Sequence, residues 1–314
     1  MKKGIISLGE ALIDFIPLDP DNITFQKSPG GAPANVAVGV ARLQAESTFI
    51  GKVGNDVLGR FLHKTLSDYG VNTSSMILTD DIRTGVVFVT LEDGERSFDF
   101  YINPSADRFL TEEELDEKLF DENKILHFGS ISLISEPSRS ATIKAVKLAK
   151  ENGMTISYDP NLRLGLWDSE EAAKEQIISM LPYADILKIS EEELEFITGE
   201  KDIEKGAAKL VNYEIPLLLV TLGSEGSYVF TKEGHQHVPA RKVETVDTTG
   251  AGDAFVSGIL YMANEWEGDI RSIPLERAVE MATFASISGS LAASEKGAMT
   301  ALPTLKQVQS ILAK

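Results

Sequence analysis

The sequence predicts an α/β protein with a central, mostly parallel sheet flanked by helices, and a small β-sheet lid beside it. Three observations carry that expectation. From residue 125 onward, apolar runs alternate with segments of helical period. The stretch IPLLLVTLG at 215–223 is apolar throughout, as a strand buried on both faces requires. The first hundred residues or so instead hold short strand-like runs joined by turns.

Taken in order, ALIDFIPL and ITFQKS read as two short strands around a polar turn. TGVVFVTLEDGERSFDFYI reads as two more joined across Asp93-Gly94, where both turn positions tolerate positive φ. These runs, over about 13–29 and 84–103, form the expected lid. Such a sheet must hide its apolar face against a ligand cleft or another subunit, so a homodimer through the lid is one expected assembly. SPGGAPANVAVGVARL at 28–43 puts Pro33 in the first turn of a helix, with Val36, Val40 and Leu43 on one stripe. Then ILHFGSISLI, SRSATIKAVKLAKENG, TISYDPN, a helix to about residue 182 and ILKIS supply the βαβ alternation. GAGDAFVSGILYMANE carries Phe255, Val256, Ile259, Leu260 and Ala263 on a helical face, and a second long helix covers 275–293. The whole chain, 1–314, is read as one domain with its lid.

Composition narrows the partners. A length of 314 residues at 43% hydrophobic content is ample for a large core. The formal charge of −18 opposes nucleic acid and anionic membranes, because the long-range field repels polyphosphates. MKKGIISLGEALIDFIPL imitates a signal peptide, but Glu10 and Asp14 interrupt its apolar run. No apolar segment approaches the roughly 18 residues of a membrane span. With no cysteine, disulfides, thiolate metal sites and cysteine nucleophiles are all excluded, which fits a cytoplasmic setting.

Two stretches carry chemistry. In DTTGAGDAF, residues 247–255, glycines open a helix whose bare N–H groups attract anions, yet Asp253 sits in the same turn. By itself that aspartate fits a residue that complements the helix dipole. It also fits phosphoryl transfer to an alcohol, which needs donors for the phosphoryl group and a base for the hydroxyl proton close together. The N–H groups of Gly250, Ala251 and Gly252 are the candidate anion hole and Asp253 the candidate base. In the second stretch, Gly30 and Gly31 let a ligand approach the backbone, and Asn35 offers donor and acceptor to a polyol. His235 and His237 alternate on a strand with no carboxylate nearby in sequence, and are read as surface residues.

With GGAPANVA…GKVGNDVLG and DTTGAGDAF in this order, the sequence resembles the ribokinase-like carbohydrate kinases over essentially its whole length. The resemblance implies a sheet of about nine strands with a β lid over the sugar, ATP as co-substrate, Mg²⁺ and, less firmly, K⁺. It implies Asp253 as general base, residues 250–252 as anion hole and Asp14 as a receiver of sugar hydroxyls. KISEEELEFITG places Ser190 and Glu193 where the family usually has Asn-x-x-Glu, which organises Mg²⁺; read alone, they form a helix capping box. Lys188 is implied at the nucleotide phosphates. Thr221, Gly223 and Gly226 in VTLGSEG are implied around ATP, and Gly297 and Ala298 in SEKGAMTALPT near the adenine and the monovalent-cation loop. Asp247 and Thr249 are implied in the monovalent-cation loop.

Within that family, GEALIDF, FYINPSAD and DPNLRLGLW look most like fructokinases, implying transfer to D-fructose to give fructose 6-phosphate. Tyr101 and Asn103 are then expected lid contacts, and Ile102 stands where an arginine is common. Arg163 follows DPN beyond a strand's carboxyl end, where α/β folds place ligands. A 2-keto-3-deoxygluconate kinase, or another sugar or nucleoside kinase, is the alternative. A sugar-binding regulatory protein without catalysis is the different-class alternative, opposed by Asp253, since a binder needs no base.

Overall fold

The computed structural model describes residues 2–92 and 95–313. Its strands are β1 (Ile5–Leu8), β2 (Leu12–Pro17), β3 (Phe25–Gly30), β4 (Ser47–Gly54), β5 (Met76–Thr79), β6 (Val86–Glu92), β7 (Glu95–Tyr101), β8 (Ile125–Phe128), β9 (Thr155–Tyr158), β10 (Ile186–Ser190), β11 (Leu217–Thr221), β12 (Ser227–Thr231) and β13 (Gly234–Val238). The larger sheet has 9 strands in the order β13-β12-β11-β10-β9-β8-β1-β4-β5. From β11 to β5 all neighbours are parallel, and the β12–β13 hairpin closes one edge antiparallel. Its central strands are apolar because helices cover both faces: β1, β8 and β9 are buried at every position.

The helices are α1 (Ala32–Arg42), α2 (Val57–Asp68), α3 (Lys118–Glu122), α4 (Ser138–Glu151), α5 (Glu170–Met180), α6 (Glu191–Thr198), α7 (Ile203–Lys209), α8 (Ala251–Glu265), α9 (Leu275–Ala293) and α10 (Leu305–Leu312). One core joins Val36 and Val40 of α1, the α8 stripe and Ala278, Met281 and Ala285 of α9 to the sheet. On the other face Ala145 and Val146 of α4, Ile177 of α5 and Leu194 of α6 pack around Phe128 and Tyr158, whose rings stack at 4.6 Å.

The order of strands decides where a ligand can bind. The chain leaves β1 towards β4 and β5 on one side, then returns to place β8 on the other. That reversal opens a crevice at the carboxyl ends of β1 and β8, the usual ligand position in open α/β sheets. Glu10 follows β1 and Ser130 follows β8, and both line a small pocket there.

The four expected lid strands form a second sheet in the order β3-β2-β6-β7. β6 and β7 pair as a hairpin, while its Asp93-Gly94 turn lies outside the described residues. The same amino-terminal region also contributes β1, β4 and β5 to the large sheet, which its short apolar runs do not distinguish from lid strands. One face of the second sheet stacks Phe15 on Phe88 and sets Tyr101 edge-on to Phe88. Lys27, on that same face, lies over the ring of Phe61 in α2. The opposite face carries Asp14, Val87, Val89, Phe98 and Phe100.

Candidate active site

Gly30 and Gly31 build the first wall. Gly31 has φ 101, and a Cβ there would fall on the Glu10 carbonyl oxygen, so only glycine closes this turn. Gly30 leaves room for the Asp14 carboxyl, which a Cβ at residue 30 would strike. Asn35 follows one turn into α1, buried, and its Nδ2 donates to Asp253 Oδ2 at 2.7 Å. Its donor is thus committed to the aspartate. Its Oδ1 is buried with no partner among the described residues, an acceptor left unsatisfied.

Asp253 stands in the first turn of α8, whose N-cap, Gly250, takes the left-handed conformation at φ 78. The turn is not wholly open to an anion: the Ala251 N–H donates to the Thr248 carbonyl at 3.2 Å. Gly252 and Asp253, next along, are among the first-turn donors that lack an intrahelical acceptor. Burial and the nearby Asp159 carboxylate push the Asp253 carboxyl up to about 6, against the pull of the Asn35 hydrogen bond, Lys188 and Arg163. Asp14 is likewise pushed up to about 6 by burial and by Asp253.

Three acidic neighbours lie within GEALIDF, FYINPSAD and DPNLRLGLW, although none of them has a role expected from sequence. Asp159, in DPN, pairs with Lys188 Nζ at 3.1 Å, both side chains being nearly buried. Burial lowers the Lys188 ammonium, but Asp159 and Glu193 outweigh it and the net shift is upward, so Lys188 stays charged. Glu10 is raised to about 8 by burial. Asp107, raised to about 6 by burial, accepts from Ser105 Oγ at 2.6 Å. GEALIDF and FYINPSAD contain Glu10 and Asp107 without assigning them a role, because their meaning depends on strands distant in sequence.

Two cavities flank this centre. A cleft of about 890 Å³ is lined by Phe100, Asn161, Arg163, Lys188, Ser190 and Glu193, with the exposed Arg163 at its mouth. A second, about 610 Å³, is lined by Thr221, Gly223, Gly226, Ala251, Gly252 and Phe255, among others. Lys188 bridges them: a Cβ on Gly252 would lie 3.9 Å from its Nζ.

Several expected contacts are placed differently. Strand alternation turns Tyr101 to the Phe88 face, away from the cleft, and puts Phe100 there in its stead. Asn103 lies beyond the end of β7, exposed. Ile102 is buried at 4% exposure, its Cγ2 and Asp107 Oδ1 crowding the same glycine, Gly85. Glu193 forms the capping box: Oε2 accepts from the Ser190 N–H at 2.8 Å, while Oε1 accepts from the Leu162 N–H at 2.7 Å. Its carboxylate therefore ties the Arg163 loop to α6. Asp247 Oδ1 accepts from the Thr249 N–H and Oγ1, and Oδ2 from the Gly297 N–H. Gly297 and Ala298 are thus packed on the 247–250 turn, Ala298 against Gly250, and do not line the 610 Å³ cavity. His235 and His237 lie exposed, but His235 does meet a carboxylate, Glu204, at 3.3 Å.

A family model described as pfkB family carbohydrate kinase matches residues 2–305. The chain belongs to that family. It is 49% identical to a probable chloroplastic fructokinase-6 of Arabidopsis thaliana, over 99% of this chain and 82% of the relative. Fructokinase-1 of Zea mays is 44% identical over 100% of this chain and 98% of the relative. Among solved structures, a Xylella fastidiosa fructokinase with bound ATP superposes at TM-score 0.93 with 35% identity, covering 100% and 99% of the two chains. A Vibrio cholerae fructokinase double mutant with fructose, ADP and potassium ion superposes at 0.90 with 40% identity, covering 99% of each. The ribokinase-like fold expected of pfkB kinases is the fold observed. Among the described residues, no helix is long and apolar enough to cross a membrane.

Proposed function

We propose that this pfkB kinase transfers the γ-phosphoryl group of ATP to D-fructose, giving fructose 6-phosphate and ADP. The observation that carries this reading is Asp253. It is a carboxylate held by Asn35 in the first turn of α8, between the 610 Å³ cavity and the acidic crevice beneath the second sheet. The substrate hydroxyl gives its proton to Asp253 while its oxygen bonds the γ-phosphorus, and the bond from that phosphorus to the ADP oxygen breaks. Gly252 and its neighbours in the turn receive the phosphoryl charge, and Lys188 stands across from them. Asp14, Gly30, Gly31 and the unpartnered Asn35 Oδ1 read the sugar hydroxyls, with Phe100 covering the ring. Thr221, Gly223 and Gly226 line the space for the nucleotide.

Mg²⁺ fits as a companion of the ATP phosphates, because it keeps several waters and needs few protein carboxylates. Glu192, Glu193 and Glu195 are the acidic groups lining the 890 Å³ cleft. The potassium-bound Vibrio neighbour supports a monovalent cation, and the buried charge of Asp247 makes the Asp247–Thr249 turn its proposed place. A dimer through the second sheet belongs to the same reading, supported by the exposed Ile23 and Phe98, and is checked by light scattering. A cytoplasmic setting rests on the cysteine-free sequence and is checked by cell fractionation.

Fructose is favoured over 2-keto-3-deoxygluconate on electrostatic grounds. A buried substrate carboxylate needs a cationic partner, and going unpaired costs several kcal/mol. Here Asp14, Asp107, Asp159 and Asp253 crowd the crevice, Lys188 is committed to Asp159, and Arg163 is the other cation lining the cleft among the described residues. An arginine at position 102 would meet Asp107 before it met a substrate. In a coupled ADP-release assay, kcat/KM for D-fructose is expected to exceed that for the sugar acid by at least about tenfold, on the order of 1.4 kcal/mol. The reverse preference would promote the sugar-acid alternative. No ADP release with any sugar would promote the binding protein. Chelation in the same assay should abolish turnover, and full activity without a divalent cation would remove Mg²⁺ from the mechanism.

A further inference from the structure

Glu10 is buried at 3% exposure, yet nothing in the phosphoryl transfer above uses it. It holds the glycine turn twice. Its backbone carbonyl is the surface on which Gly31 rests, and its side-chain Oε1 accepts from the Ala32 N–H at 3.0 Å. That N–H opens α1, the helix that brings Asn35 to Asp253. Glu10 also lines a pocket of about 10 Å³ with Ser130, Asp159 and Asp253, room for about one water.

We propose that Glu10 is a positioning residue that acts as a neutral acid, fixing the Gly30-Gly31 turn against the sugar while adding no charge beneath Asp253. The inference rests on the sugar site proposed above. The titratable groups facing Glu10 are Asp107 from the segment after β7, Asp253 on α8, Asp159 after β9 and His127 on β8. His127 is pushed down to about 3 by burial and Lys188, so it is neutral, and no cation lines the pocket among the described residues. An ionised Glu10 would have the Ala32 N–H as a donor but no cation, and burial above all, with the Asp107 and Asp253 carboxylates, raises it to about 8.

The test compares Glu10→Gln with Glu10→Met. Gln keeps an acceptor for Ala32 and cannot ionise, whereas Met keeps the volume without the acceptor. Wild-type kcat/KM for fructose should fall above about pH 8 as Glu10 ionises, while Glu10→Gln holds its fructose KM within about threefold at pH 7 and stays flat to about pH 9. Glu10→Met should raise the fructose KM at least about tenfold, leaving the ATP KM within about twofold. An unchanged alkaline limb in Glu10→Gln overturns the proposal, even if Glu10→Met fails to fold. Equal rises in both KM values, or none, in a folded Glu10→Met overturn it as well. A wild-type enzyme that phosphorylates no sugar would instead strike the functional reading beneath it.

Discussion

Asp253→Asn is expected to lower kcat by about 10² to 10⁴ while leaving fructose affinity within a few-fold, the loss typical of a removed general base. The amide is isosteric and can present its oxygen to Asn35, so the 2.7 Å contact survives without a proton acceptor for the hydroxyl. Wild-type activity should show the same group in its pH dependence. A base raised to about 6 must be ionised to work, so kcat/KM should decline about tenfold per pH unit below pH 6. Stability should move the other way. Between the ordinary aspartate value and 6 the unfolded chain ionises while the folded one keeps its proton, so this group's penalty grows over that window and persists above it. Asp253→Asn removes that penalty, at most about 3 kcal/mol, and should therefore melt no lower than wild type at pH 8. Near-normal turnover would reduce Asp253 to a helix-dipole residue.

Asp14→Ala should act on binding, raising the fructose KM by about 10- to 100-fold with a smaller effect on kcat. Its carboxyl lies across Gly30 on the cleft face of the second sheet. On the proposed sugar site, removing it leaves hydroxyls buried without a partner, worth about 1.5 to 3 kcal/mol for a bond to a charged group. Steady-state kinetics with each substrate varied separately distinguish this from Asp253→Asn. An unchanged fructose KM would take Asp14 out of the sugar site.

Much of this architecture is legible in local chemistry along the chain. The 3.6-residue stripe of Phe255, Val256, Ile259, Leu260 and Ala263 predicts α8, and all five are buried. Both readings of Ser190 and Glu193 follow from their spacing, and the capping box is what the backbone makes of them. Tyr101 falls on the unexpected face for a definable reason: a segment inside an aromatic run does not reveal which strand parity faces the cleft, and a shift of one residue exchanges the faces.

By itself, then, the sequence determined the α/β class, the helix-opening glycine turns and the presence of Asp253 in the first turn of such a helix, because periodicity, backbone permissiveness and side-chain chemistry are properties of neighbours along the chain. Only the tertiary structure decided that Asn35 gives its donor to Asp253, 218 positions away, and that Lys188 answers Asp159. It also gathered Glu10, Asp107 and Asp159 with Asp253 in one crevice. Those pairings arise at the carboxyl ends of the neighbouring strands β1 and β8, from which the chain continues to opposite sides of the sheet, and the charge each group carries follows from burial and from neighbours that other strands deliver.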